Sequence, residues 1–192
     1  QQQLEEMIMG LEKVKCGKIF FKQEEITGMS VKERCKRGIG YIPSDRYKRA
    51  ILPGFSLKDN YLLVNQYKDS YARKGMLNQE YIEKKTKELM EKFDVRAVNG
   101  DQLIGALSGG NQQKLVLSRE VDKDPDLILA CQPVRGLDIG AIKFIHNVLL
   151  ELRNQGKAVL LISAELSDLF QLSDRIGVLY KGEMMSLQET EK

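Results

Sequence analysis

An α/β fold, a parallel sheet interrupted by a mainly helical segment, is what the sequence predicts, and three observations predict it. Two apolar runs, Asp126-Leu127-Ile128-Leu129-Ala130-Cys131 and Ala158-Val159-Leu160-Leu161-Ile162-Ser163, are each followed by residues at helical spacing. Apolar strands alternating with helices make a parallel sheet covered on both faces. Residues from about 44 to 106 carry helical patterns in place of strands. Between these regions lies Leu107-Ser108-Gly109-Gly110-Asn111-Gln112-Gln113-Lys114, a polar, glycine-bearing turn that runs straight into a helix. The expected organisation is a discontinuous core of residues 1–43 and 121–192, with a helical subdomain over 44–120.

Each element follows from its local pattern. Gln1 to Leu11 reads as most of a short helix ending at Gly10, with Leu4, Ile8 and Leu11 at helical spacing. Lys18-Ile19-Phe20-Phe21 is a strand, followed by a turn and a second short edge at Glu25-Ile26. Ser30 and Glu33 form a capping-box pair for a helix that stops before Gly38, and its lysines and arginines read as a solvated face. Ile39-Gly40-Tyr41-Ile42 is a strand closed by Pro43. A polar loop spans 44–55, and Ser56 with Asp59 starts a helix through Tyr61-Leu62-Leu63. Residues 67–75 read as a charged loop. Asn78 to Phe93 is amphipathic, with Tyr81, Ile82, Thr86, Leu89, Met90 and Phe93 on one face. After the polar turn come Leu115, Val116 and Leu117, with Arg119 and Glu120 read as turned outward. Ala141 to Gln155 is a helix with Ile142, Ile145, Val148, Leu149 and Leu152 inward and Gly156 as its stop. A short helix over 165–172, a strand Arg175–Tyr180, a tight Lys181-Gly182 turn and Met184-Met185 complete the chain.

Bulk properties exclude several classes. A chain of 192 residues allows one or two domains, and its 42% hydrophobic content is ordinary for a globular protein. No apolar run approaches the ~20 residues that span a bilayer, and the polar N-terminus carries no signal-peptide pattern. The net charge of +3, with both signs mixed along the chain, gives no argument for nucleic acid. Cys16, Cys35 and Cys131 lie far apart without metal-type spacing and suit a reducing compartment. His146 is the lone histidine, so histidine-based catalysis has almost no material.

The chemistry concentrates in the octet and at the strand ends. Ser108 is a good N-cap, and Gly109 and Gly110 leave the first helical N–H groups uncovered. Such a helix start attracts anions through its free N–H groups and its dipole; an ordinary helix cap is the plainer alternative. In parallel sheets ligands sit beyond the carboxyl ends of the strands, here Cys131-Gln132 and Ser163-Ala164.

The octet resembles the signature loop of ABC ATPases, LSGGQ-like in its LSGGNQQK form, and the resemblance extends over nearly all of the chain. It implies a P-loop NTPase, a RecA-like ABC ATPase core with an inserted helical subdomain. In that family the strand-end pair is Asp-Glu, followed by Pro and a G-L-D turn. This chain has Cys131-Gln132-Pro133-Val134-Arg135-Gly136-Leu137-Asp138, so the frame is kept and both carboxylates are gone. Ala164 stands where the family carries a histidine, and Ser44 where it carries a glutamine. Gln1 and Gln2 fall at the lysine and serine/threonine positions of the phosphate loop; the first strand and the glycine loop are expected upstream of residue 1. Cysteine is a poor partner for Mg²⁺, which prefers carboxylate and water, and glutamine cannot accept a proton. Losing a general base alone costs roughly 10²–10⁴ in rate.

The resemblance therefore implies an own site without a metal that hydrolyses ATP slowly or not at all. Ser108, Gly109, Gly110, Gln112 and Asp138 would complete the ATP site of an intact partner half, where Mg²⁺ would bind. Gln132-Pro133-x-Arg135-Gly136-Leu137-Asp138-x-Gly140-Ala141-Ile142, then Phe144-Ile145-His146, is similar to the second ATP-binding half of the fused ATPase subunits of simple-sugar-type importers, most of all their nucleoside-uptake branch. Implied partners are the intact first half, transmembrane permease subunits and, indirectly, a solute-binding protein, with no nucleic acid; the implied location is peripheral, on the cytoplasmic face of the membrane. His146 has no implied chemistry. Arg46, Tyr47, Lys48 and Arg49 either pair with acidic groups of the membrane subunit or stay solvated. A non-transport ABC protein and a scaffold that binds no nucleotide remain the alternatives.

Overall fold

The computed structural model describes residues 1–190. In chain order its elements are α1 (Gln2–Met9), β1 (Phe20–Phe21), β2 (Glu24–Glu25), α2 (Val31–Lys36), β3 (Ile39–Ile42), α3 (Arg46–Arg49), α4 (Leu57–Leu62), β4 (Ala72–Arg73), β5 (Met76–Leu77), α5 (Gln79–Lys92), α6 (Gly109–Val121), β6 (Leu127–Cys131), α7 (Ile139–Asn154), β7 (Ala158–Ile162), α8 (Leu166–Leu172), β8 (Arg175–Tyr180) and β9 (Glu183–Glu189). They fall into two units, one of residues 1–44, 124–133 and 146–192, the other of 45–123 and 134–145. Residues 134–145, expected in the core, thus cluster with the helical segment.

The first unit is built on a parallel sheet of order β3-β6-β7. Its core gathers Met9, Ile26, Ile39, Leu129, Cys131 and Ile162, with Leu4, Ile8 and Tyr41 packed against them. β6 is buried along nearly its whole length. β7 departs from the expected two-faced burial: Ala158 and Leu160 are exposed, and among the described residues no strand pairs with its outer edge. β8 and β9 form a separate antiparallel hairpin.

Helix α1 shows where periodicity misled. Its deepest residues are Glu5 and Met9, whereas Leu11 lies beyond the helix and is exposed. The polar residues of α2 also depart from a solvated face. The Arg34 side chain is 1% exposed and donates to Met29 O, Met7 O, Ile8 O and Thr27 O at 2.6–3.0 Å. Met7 and Ile8 carry carbonyls of the last turn of α1, where a cation is favoured; Met7 O also accepts from the capping Gly10 N at 3.2 Å. Arg34→Met is expected to destabilise the fold by about 3–5 kcal/mol, because it strands buried acceptors; chemical unfolding followed by circular dichroism measures it, and a shift under about 1 kcal/mol would contradict it.

The second unit packs α4 and α5 around α6. Ser56 and Asp59 make the expected capping box for α4, and Asn78 caps α5. Ile82, Thr86 and Leu89 are the buried face of α5. Helix α6 is buried from Gln112 to Glu120, so Arg119 and Glu120 point inward rather than outward. Arg119 Nη1 donates to Asn60 O at 2.9 Å, and Glu120 accepts from Lys123 Nζ at 2.6 Å. A helix with neighbours on all sides has no solvated face to give them. Two expected loops hold structure. Asp45 caps α3 within 44–55 by accepting from Lys48 N at 3.1 Å. The 67–75 stretch leads into the β4–β5 hairpin, turned by Lys74 and Gly75 at φ 51° and 80°, the conformation that tight hairpin turns require.

Candidate functional site

Parallel pairing in register brings the carboxyl ends of the three strands to one edge, with Ile42 opposite Ala130 and Cys131 opposite Ile162. The expected strand-end residues meet there. Gln132 holds a left-handed backbone at φ 48°, and its N–H donates to Ile162 O at 2.7 Å. Its side chain accepts from Ala164 N at 3.4 Å and donates to Gln1 Oε1 at 3.5 Å. Gln1, Gln132 and Ala164 are therefore joined through neutral amides, none of which can take up a proton near neutral pH. Gln2 donates to Glu6 Oε1 at 2.9 Å, along the surface of its own helix.

One carboxylate that periodicity hid stands beside this edge. Glu5 is 2% exposed and accepts from Tyr41 OH at 2.5 Å and from Ser44 N at 3.1 Å. It also reaches Cys131: burial pushes that thiol well up, and the charge and hydrogen bond of Glu5 push it further. A thiol so raised stays protonated and is no thiolate ligand. The end of β6 thus carries no carboxylate of its own, and the acidic group beside it comes from α1. Its signal in the sequence is faint, a glutamate set within the apolar positions Leu4, Ile8 and Met9. Among the described residues no group of three or more His, Cys, Asp or Glu could hold a metal ion. With its buried carboxylate bonded to Tyr41 and Ser44 and its thiol protonated, this edge does not fit Mg²⁺.

His146 is buried in α7, with Nε2 3.4 Å from Asp168 Oδ1. Asp168 accepts from Ser163 Oγ at 3.2 Å, and Ser163 Oγ accepts from Glu165 N at 3.0 Å, while His146 Nε2 itself has no hydrogen-bond partner among the described residues. The Ser163–Asp168 bond ties α8 to the end of β7, with the His146 ring lying beside it.

In the second unit the octet divides into an outward and an inward part. Ser108 is exposed at the N-cap of α6. Its hydroxyl accepts from Asn111 N at 3.4 Å and from Asn111 Nδ2 at 3.0 Å. A serine hydroxyl has two acceptor sites and one donor, so both acceptor sites are taken and the donor is unspent. The N–H groups of Gly109 and Gly110 belong to the first helical turn, which has no intrahelical acceptor. A Cβ at Gly110 would stand 2.9 Å from Ala141 Cβ and 3.1 Å from Asp138 Oδ2, so glycine lets the helix start against the G-L-D turn. Asp138 is exposed and accepts from Ala141 N at 2.9 Å; this bond, N–H groups of its own turn and the charge of Lys114 hold its carboxyl below the usual range.

Gln112 and Lys114 turn the other way. Gln112 is 1% exposed, donates to Ile104 O at 3.2 Å and Leu107 O at 3.1 Å, and accepts from Arg46 Nε at 3.2 Å. Of the residues expected to face a nucleotide, it alone in the octet has its side chain committed to its own unit. Lys114 Nζ binds Asp94 Oδ2 at 2.6 Å and Asp94 O at 2.9 Å, 4.6 Å from the Phe144 ring centroid.

Solved structures share this fold. The ATP-binding cassette MJ0796, in a dimeric post-hydrolysis state bound to ADP and Pi, superposes with a TM-score of 0.79 at 22% identity, over 99% of this chain and 80% of that one. A nucleotide-free ATP-binding cassette from an ABC transporter gives 0.77 at 21% identity, over 98% and 76%. The architecture is that of a RecA-like P-loop nucleoside triphosphatase with a helical subdomain. The chain belongs to the ABC transporter family, whose profile matches residues 3–135. Guanosine import ATP-binding protein NupO of Bacillus subtilis (strain 168) is 42% identical over 186 residues, covering 97% of this chain and 36% of its own length. Nucleoside import ATP-binding protein NupA of Lactococcus lactis subsp. cremoris (strain MG1363) is 38% identical over 191 residues, covering 100% and 38%. The chain spans little more than a third of these relatives.

Proposed function

We propose that this chain is the nucleotide-binding domain of an importer for simple sugars or nucleosides, with a degenerate site of its own and a signature loop that completes the ATP site of an intact partner half. The observation that carries this is the contrast between two places. Ser108, Gly109 and Gly110, beside Asp138, offer unspent donors at a helix start, whereas the edge around Gln132 has neutral amides where a base is needed. In the partner's site Mg²⁺ would neutralise the triphosphate. The residues of this chain would bind the terminal phosphate with N–H and O–H donors and exclude water behind it. The names of NupO and NupA as import ATP-binding proteins support the importer assignment, and the dimeric state of the MJ0796 cassette supports pairing. Permease subunits, and a solute-binding protein through them, follow as partners on the cytoplasmic face. Among the described residues no helix is long and apolar enough to cross a membrane.

The division of labour has a direct test. Replacing the general-base carboxylate of the intact half by its amide in the assembled transporter should lower ATP turnover by roughly 10²–10⁴, because this half adds no base of its own. Turnover that stays above about a tenth of the parent rate would show that the degenerate site works.

A further inference from the structure

We infer that Arg46 is a further phosphate-binding residue of the site offered by the start of α6, a proposal that rests on the function just proposed. The first turn of α3 carries Arg46, and its orientation is built from inside the unit. Arg46 Nε donates to Gln112 Oε1 at 3.2 Å, and Gln112 is buried and tied to two backbone carbonyls. Tyr47 supports the guanidinium, with its ring centroid 5.1 Å from Cζ. The far end of the group rests against the octet: a Cβ placed on Gly109 would stand 2.8 Å from Arg46 Nη2. A larger residue at 109 would push the guanidinium away from the helix start.

Charge gives this arrangement its meaning. A helix N-terminus carries partial positive charge, so a cation held against it is disfavoured. Among the described residues no carboxylate pairs with Arg46 to offset this. Guanidinium has five N–H donors, and Gln112 takes one of them. An anion bound at the helix start would reverse the balance, attracted by the dipole from one side and by the fork of Arg46 from the other. Planar, two-point recognition of adjacent phosphate oxygens is what arginine does best. The ligand class is the triphosphate of the partner half, with Gly109, Gly110 and Ser108 on one set of oxygens and Arg46 on another. Gln112 then acts as a positioning residue, which accounts for its inward side chain.

The test uses the assembled transporter and measures ATPase rate against ATP concentration for Arg46→Ala, Arg46→Lys and Ser108→Phe. Removing a charge-assisted hydrogen bond should lower kcat/KM by about 10–100-fold in Arg46→Ala. Lysine keeps the charge without the fork and should restore part of that loss. A thermal midpoint close to the parent's separates loss of binding from loss of fold, and Arg46→Lys carries the test if alanine proves unstable. Arg46→Ala and Arg46→Lys at parent kcat/KM, with Ser108→Phe inactive, would overturn the role of Arg46 and leave the proposed function standing. Parent turnover in Ser108→Phe would overturn the proposed function itself. Basal kcat/KM kept in Arg46→Ala with loss of permease co-purification would assign the guanidinium to the membrane subunit and also overturn the inference.

Discussion

Ser108→Phe is expected to reduce ATP hydrolysis by the assembled transporter at least about 100-fold while the helical unit stays folded. Losing a serine N-cap costs only about 1 kcal/mol, and Ser108 is exposed, so the ring would meet solvent rather than core. What the substitution removes is functional. The two acceptor sites of the hydroxyl are used by Asn111, which leaves its O–H donor unspent. The N–H groups of Gly109 and Gly110 follow at once, and a phenyl ring beside them would block the close approach of a phosphate. Losing one preorganised donor costs roughly 10²–10³ in rate at comparable sites. Steady-state turnover of the assembled transporter, with circular dichroism as the control for folding, checks the prediction. Ser108→Ala should lie between the two, because it loses the donor without adding bulk. Turnover at the parent rate in Ser108→Phe would leave Ser108 as a helix cap and no more.

Cys131→Asp, which places a carboxylate at the end of β6, is expected to destabilise the protein by about 2–4 kcal/mol. In this fold the place beside residue 131 already holds a buried carboxylate. Glu5 is bonded to Tyr41 and Ser44 and reaches Cys131. Two carboxylates sharing one buried site cannot both ionise cheaply, so at least one takes a raised pKa. The sign of the pH dependence follows. A carboxyl whose folded pKa is raised above its unfolded value of about 4 binds its proton more readily in the native state, so stability falls as pH rises from about 4 toward the raised value. The deficit of the variant should therefore be small in acid and grow toward neutral pH. Cys131→Asp combined with Glu5→Leu should recover most of the lost stability. Chemical unfolding of the three variants at pH 4 and pH 7 reads this, and a pH-independent deficit would show that the two side chains do not share one site. The parent thiol, raised by burial, stays neutral across this whole range and adds no such dependence.

How legible each feature was depended on where its cause lay along the chain. The capping boxes at Ser30/Glu33 and Ser56/Asp59 could be read directly, because their partners are three residues apart. The strand β6, the amphipathic face of α5 and the glycine-bearing start of α6 were equally open, since short-range spacing and residue type produce them. The absence of a carboxylate from Cys131 and Gln132 was also readable: folding cannot supply at either residue a group the side chain lacks. What periodicity read wrongly were polar residues that the fold buries. Arg34, Arg119 and Glu120 read as outer faces of their helices and are buried, as is Glu5; Glu120 meets Lys123 three residues on, whereas the other three meet distant partners. Tyr41 lies 36 residues from Glu5, Met7 lies 27 from Arg34, and Asn60 lies 59 from Arg119.

The sequence by itself determined most of the elements and their order, though not α3 or the β4–β5 hairpin, together with the family of the chain and the residue types at the strand ends, all of which follow from residue identity and near-neighbour spacing. Tertiary structure alone decided which polar groups are spent inside and which remain available. It set Glu5 beside Cys131, turned Gln112 and Lys114 inward, left Ser108 outward, and laid Arg46 against Gly109. The physical reason is that apolar spacing reports burial for hydrophobic side chains, whereas a buried charge or amide is stable only with partners in place, and those partners come from segments that only the folded chain brings together.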